Sequence, residues 1–262
     1  MARRCDPTGG AGARYGAASG SIWLALSATA CGAEPGAEMR PVSLTPEGAG
    51  GAPDSPAARP PTPPPVEPLP DLVLDAAYLI DTTVEDVIEV DDPCQLDDGC
   101  VSGLGTRRVV RFGSRTGNVG SADLVLGSRQ QGNPYWTPNA CNGSVDLVGF
   151  ARYELRDQAS GALVARGAKN GFCIADSEPW DLASEQSCER YSCQDQGISR
   201  GCSDSYGFVL ECQWVDITAV APGQYTLRVT INADRAIPEL DYANDVVEVG
   251  LAIGEDSVLV QR

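Results

Sequence analysis

Few side chains in this 262-residue chain are equipped for chemistry, and the missing types are as informative as those present. There is no histidine, and of the nineteen basic residues only Lys169 is a lysine. Imidazole is the commonest protein ligand for copper and zinc and the usual proton carrier near neutral pH, so both roles lose their ordinary group. Cys94, Cys100, Cys141, Cys173, Cys188, Cys193, Cys202 and Cys212 form an even set with no Cys-x-x-Cys pair. Without histidine, that set argues against zinc and for disulfides, and disulfides imply an oxidising compartment. Spacing alone leaves on the order of a hundred pairings open. Lys169 also stands out, because a buried lysine can lose its proton and an arginine cannot. In a chain that uses arginine for nearly every other cation, that counts for a specific role. Asp91-Asp92 and Asp97-Asp98 lack metal-ligand spacing and read as a solvated loop.

These residues need a frame, and the chain supplies one only after its first 70 residues. Arg3, Arg4 and Arg14 precede the apolar stretch Ile22–Ala30, too short to span a bilayer and typical of a signal peptide. Leu-Ser-Ala-Thr-Ala-Cys resembles a bacterial lipoprotein cleavage site, which would make Cys31 a lipidated N-terminus and a membrane anchor. The alternative is an ordinary secretory signal cut nearby; either removes Cys5 and exports the protein. Residues 31–70 are rich in Pro, Ala and Gly and read as an extended tether. The net charge of −17 excludes a nucleic-acid binder, since no basic stripe is present to displace counterions. It suits solubility or, alternatively, a basic partner.

From Asp71 onward the pattern is that of strands. Tyr225, Leu227, Val229 and Ile231 alternate with polar residues at a period of two, after a Pro222-Gly223 turn. Further strands are expected at residues 108–112, 122–126, 147–155, 162–166, 208–214 and 246–253, with a turn through Gln158–Gly161. No amphipathic helix and no repeat is evident. The expectation is an all-β antiparallel sandwich over residues 71–254 with long disulfide-stapled loops, followed by a tail, 255–262.

Several motifs then agree. Cys212-Gln213-Trp214-Val215-Asp216-Ile217-Thr218, Pro222-Gly223-Gln224-Tyr225, Pro238–Asp245, Gly167–Cys173 and the opening Asp71-Leu72-Val73 together resemble the lysyl oxidase family. That resemblance implies a copper-dependent amine oxidase converting peptidyl lysine to the aldehyde, with a quinone cofactor made from a lysine and a tyrosine. It also implies the pairings Cys94–Cys100, Cys141–Cys193, Cys173–Cys188 and Cys202–Cys212.

The family holds copper with three histidines in a Cys-His-x-His-x-His run, whose alternating residues share one face of a strand. Here the run is Cys141-Asn142-Gly143-Ser144-Val145-Asp146, so the ligand positions hold Asn142, Ser144 and Asp146. Amide and hydroxyl oxygens are poor copper donors. The resemblance places Lys169 and Tyr206 at the quinone-precursor positions, where without copper they should stay unlinked. Asn142-Gly143-Ser144 is also a glycosylation sequon. The resemblance further aligns Asp71, the Leu72 carbonyl, Glu239, Asp241, Asn244 and Asp245 with a structural calcium site. Oxygen donors with several carboxylates suit that ion; the alternative is an acidic turn capped by Asx hydrogen bonds. The expectation is an exported pseudoenzyme, a binding or structural module for an extracellular or cell-envelope protein. Its rivals are an active amine oxidase using Lys169 and Tyr206, and a site at Asp146 for a different divalent metal.

Overall fold

The computed structural model describes residues 67–261 apart from 131, 142, 144, 148 and 170–172, and at 168 and 169 it describes the backbone alone. The signal peptide, Cys5, Cys31 and most of the tether lie outside the described residues. The folded body begins slightly earlier than expected: the Leu69 carbonyl accepts from Ser121 and Ala122 N–H, and Pro70 from Leu240.

Every strand pairing is antiparallel, and the strands, numbered in chain order, form five sheets. The first runs β1 (Leu72–Leu74), β4 (Ser114–Asn118), β12 (Cys202–Tyr206), β10 (Glu178–Pro179). A second pairs β11 (Gln196–Ile198) with β5 (Leu124–Gly127). The third runs β13 (Trp214–Asp216), β3 (Gly105–Arg111), β2 (Val84–Val90). The largest runs β16 (Val258–Gln261), β15 (Val246–Ile253), β14 (Gly223–Ile231), β8 (Ala151–Asp157), β9 (Leu163–Lys169). The last pairs β6 (Thr137–Pro138) with β7 (Val145–Asp146). The all-β antiparallel class expected from the sequence is therefore observed.

The large sheet supplies much of the core. Tyr225, Leu227, Val229 and Ile231 of β14 are all buried, as their period-two pattern requires. Phe112 meets Tyr153 of β8 edge-on, with ring centroids 4.8 Å apart and an interplanar angle of 85°. The β8–β9 hairpin turns at the expected place: Asp157 caps it by accepting from Ser160 N–H at 2.8 Å, and Gly161 takes φ +70°.

Several expectations are corrected. Residues 208–213 do not continue β13; they turn, with Cys212 at φ 57°, and only Trp214–Asp216 pairs with β3. The segment 255–262 is no tail, since β16 pairs with β15 from Ile253↔Val258 to Gly250↔Gln261. Two short helices interrupt the strands, α1 (Ala76–Thr82) and α2 (Pro93–Asp97). Each is announced by an N-cap aspartate, Asp75 and Asp92, the latter followed by proline at the first helical position.

All four expected disulfides are replaced. The bonds are Cys94–Cys141, Cys100–Cys212, Cys173–Cys193 and Cys188–Cys202, with Cα separations of 5.0–5.8 Å. Proximity in the chain misled; the sheets decide the partners. Pairing of β13 with β3 carries Cys212 to Cys100, whose carbonyl accepts from Trp214 Nε1 at 2.9 Å. Gly197 N–H donates to the Ile174 carbonyl, laying Cys173 beside the segment that holds Cys193. β12 buries Cys202 against the loop carrying Cys188, and both are sequestered.

Candidate functional site

The three positions aligned with copper ligands follow Cys141, which its disulfide ties to α2. Asn142 and Ser144 lie outside the described residues. Asp146 is buried and already engaged: it accepts from Asn139 Nδ2 at 2.6 Å, and Arg129 Nη2 stands 3.7 Å from its Oδ1. Asn139 Nδ2 also reaches Asp98 Oδ1 at 2.9 Å, so the loop read as solvated is in fact linked to this corner. Arg129 Nε donates to the Val145 carbonyl at 2.8 Å, which fixes a positive charge beside Asp146. A dication placed here would meet a guanidinium and an amide that already occupy the carboxylate. Among the described residues no group of three or more His, Cys, Asp and Glu side chains is arranged to hold a metal ion.

Tyr206 ends β12 and is buried. Its hydroxyl donates to the Cys173 carbonyl, four residues beyond Lys169. The tyrosine thus touches the segment that carries the lysine, whose backbone closes β9 opposite Ala151. The Lys169 side chain lies outside what the structure describes, so no lysine–tyrosine contact is drawn. Burial, with the nearby Asp204 carboxylate, drives the Tyr206 phenol well above its usual range. The phenol therefore stays protonated at neutral pH. Beneath it Tyr153 is fully buried, donating to Gln213 Oε1 at 3.2 Å while Gln213 Nε2 donates to Ser114 Oγ at 3.0 Å. Burial likewise pushes the Tyr153 phenol up.

Asp204, Asn139 and Arg129 escaped the sequence reading. For Asp204 a signal existed: it lies two residues before Tyr206 on a strand and so shares its face. For the other two, only the tertiary fold brings them to Asp146.

The second cluster joins the start of the body to the loop before β15. Leu72 N–H donates to Glu239 Oε2 at 2.8 Å, and Asn244 Nδ2 donates to Asp71 Oδ1 at 2.9 Å. Asn232 Nδ2 donates to Glu239 Oε1. Glu239 and Asp245 are buried, whereas Asp241 is exposed and caps its own turn by accepting from Ala243 N–H at 2.8 Å. Asn244 Oδ1 and Asp245 Oδ1 are buried without a hydrogen-bond partner. Burial pushes the Asp245 carboxyl up to about 8, aided by the charges of Glu239, Asp71 and Asp241. Glu239 is raised too, again chiefly by burial. So much uncompensated negative charge in one corner is costly unless protons or a cation enter.

The sequence model described as lysyl oxidase matches residues 73–262. The chain belongs to the lysyl oxidase family. Lysyl oxidase homolog 2 of Xenopus tropicalis is 36% identical over 194 residues, covering 70% of this chain and 24% of that protein. Protein-lysine 6-oxidase of Homo sapiens is 34% identical over 197 residues, covering 68% of this chain and 44% of that protein. The lysyl oxidase body seen here thus spans less than half the length of either relative. Among solved structures, a CARDB domain from Pyrococcus furiosus matches 71% of this chain and 90% of its own at 11% identity. Its TM-score of 0.28 is too low to carry an argument about this lysyl oxidase body.

Proposed function

We propose that the protein is an exported lysyl oxidase body without oxidase activity, serving as a binding or structural module. The observation that carries this is the donor set: Asn142, Ser144 and Asp146 in a chain with no histidine. Copper does not fit these residues. Two neutral oxygens and one carboxylate are poor copper donors, and Asp146 is already held by Asn139 and Arg129. With no copper to oxidise it, Tyr206 stays a protonated phenol and Lys169 a free amine. The rival reading, an amine oxidase acting on peptidyl lysine, draws on the retained Lys169 and on Tyr206 reaching the Cys173 carbonyl. The two are separated by expressing the chain with copper and assaying peroxide and ammonia release from a lysyl peptide, together with trapping by a carbonyl-reactive hydrazine. Absence of both signals is expected; turnover with hydrazine labelling of Tyr206 would establish the oxidase.

Calcium, in contrast, fits the second cluster. Asp71, the Leu72 carbonyl, Glu239, Asp241, Asn244 and Asp245 supply only oxygen, and the unpartnered Asn244 Oδ1 and Asp245 Oδ1 are donors that such an ion would use. Its role there is structural, tying the first strand to the last loop. A melting curve with calcium and with chelator tests it, and coincident curves would refute it.

Export is supported by four disulfides in a body of this size. Among the described residues no helix is long and apolar enough to cross a membrane. Anchoring through a lipidated Cys31 is tested by labelled fatty-acid incorporation, which Cys31→Ser should abolish.

A further inference from the structure

The outward face of the large sheet carries a groove of about 980 Å³, separate from the copper positions and Tyr206. Arg152, Arg156, Arg228, Arg235 and Tyr242 line it. In a chain of net charge −17, four arginines converging on one groove is a local reversal of sign.

Their placement is regular. In the β8–β14 register Arg228 faces Glu154, Arg152 faces Thr230 and Arg156 faces Thr226. The three guanidinium-bearing positions therefore zigzag along the strand axis in steps of two residues, roughly 6.6–6.8 Å each. Each arginine makes one ion pair: Arg152 Nη2 with Asp234 at 2.7 Å, Arg156 Nη2 with Glu154 at 2.9 Å, Arg228 Nη1 with Glu248 at 2.5 Å. The arginine side chains remain 46%, 37% and 37% exposed in that order, so these pairs are weak and exchangeable. A guanidinium has five N–H donors, and a second carboxylate can take the edge that the first leaves open. At the rim Arg235 sits in the left-handed region at φ 53°, its guanidinium 4.8 Å from the centre of the Tyr242 ring.

We propose that this groove binds an extended acidic peptide segment with carboxylates at every second residue. Alternate side chains of an extended chain fall on one side at the same roughly 6.6–6.8 Å repeat, so successive carboxylates meet Arg152, Arg228 and Arg156 in turn. The repeat favours a peptide over a sulfated glycan, and neither Lys169 nor Tyr206 takes part. The proposal stands whether or not the copper centre is lost.

The test is fluorescence anisotropy with the full chain in calcium-containing buffer and a labelled alternating Glu-Ser peptide of about ten residues. Saturable binding is expected, at least about tenfold weaker for the Gln-Ser counterpart and weaker with rising salt. The double variant Arg152→Gln, Arg156→Gln should weaken binding about tenfold, while Arg200→Gln, outside the groove, should leave it unchanged. Glu248→Gln, which frees Arg228, should tighten it, a gain that a misfolded protein could not produce. No saturable binding, equal binding by the double variant, or tighter binding of a sulfated oligosaccharide than of the peptide would each overturn the proposal.

Discussion

Two corners of this lysyl oxidase body differ in what has survived. Around Cys141 the frame is intact, with a disulfide, a short β6–β7 pairing and the Arg129–Asp146–Asn139 contacts, yet the donors for copper are gone. Around Asp71 and residues 239–245 the donors remain, crowded enough to lift Asp245 to about 8. A scaffold can thus outlive one set of ligands and keep another, because its sheets and disulfides hold it up without either. The pairing of β13 with β3 and the buried face of β14 draw nothing from a metal.

The largest effect should come from breaking that shared frame. Replacing Cys100 and Cys212 with serine opens a link between residues 112 apart and should cost about 4–5 kcal/mol, read by chemical denaturation. A loss under about 1 kcal/mol would mean that the frame does not rest on it.

Next comes the acidic corner, where the sign depends on the cation. Asp245 binds its proton more tightly folded than unfolded, so without calcium stability should fall as pH rises from about 4 through about 8. Calcium should flatten that fall. Asp245→Asn should therefore raise stability by about 1–2 kcal/mol in chelator above pH 8 and lower it in calcium. The same sign in both buffers would contradict a cation site.

Smaller still is Tyr206→Phe. It removes the hydrogen bond to the Cys173 carbonyl and should cost about 1–2 kcal/mol in a thermal melt. Smallest is Asp146→Asn, which keeps an acceptor for Asn139 and loses only the charge facing Arg129 at 3.7 Å, about 1 kcal/mol. A larger loss for Asp146 than for Tyr206 would reverse the ranking and give the old ligand position structural weight.

What the sequence could reveal follows the same division. β14 and β15 announce themselves, because one apolar face against one polar face leaves a period of two. β4 does not: Ser114, Arg115, Thr116, Gly117 and Asn118 are all buried, yet none is apolar. Arg115 is satisfied by Asp75, Glu178 and two carbonyls, and Gly117 lies so close to Trp180 that a Cβ would come within 2.2 Å of the ring. Such a strand is specified by its partners, which no local pattern shows. Disulfide partners fail for the same reason, as Cys100 meets Cys212 only across a sheet. The ligand positions Asn142, Ser144 and Asp146 were legible from their place after Cys141; the arginine beside Asp146 was not.

The central claim is tested most directly by peptide mapping of the full chain expressed with copper, alongside metal analysis of the same sample. Copper at background with Lys169 and Tyr206 recovered in separate, unmodified peptides is the expected result. A cross-linked peptide joining Lys169 to Tyr206, with copper near one per chain, would contradict the account.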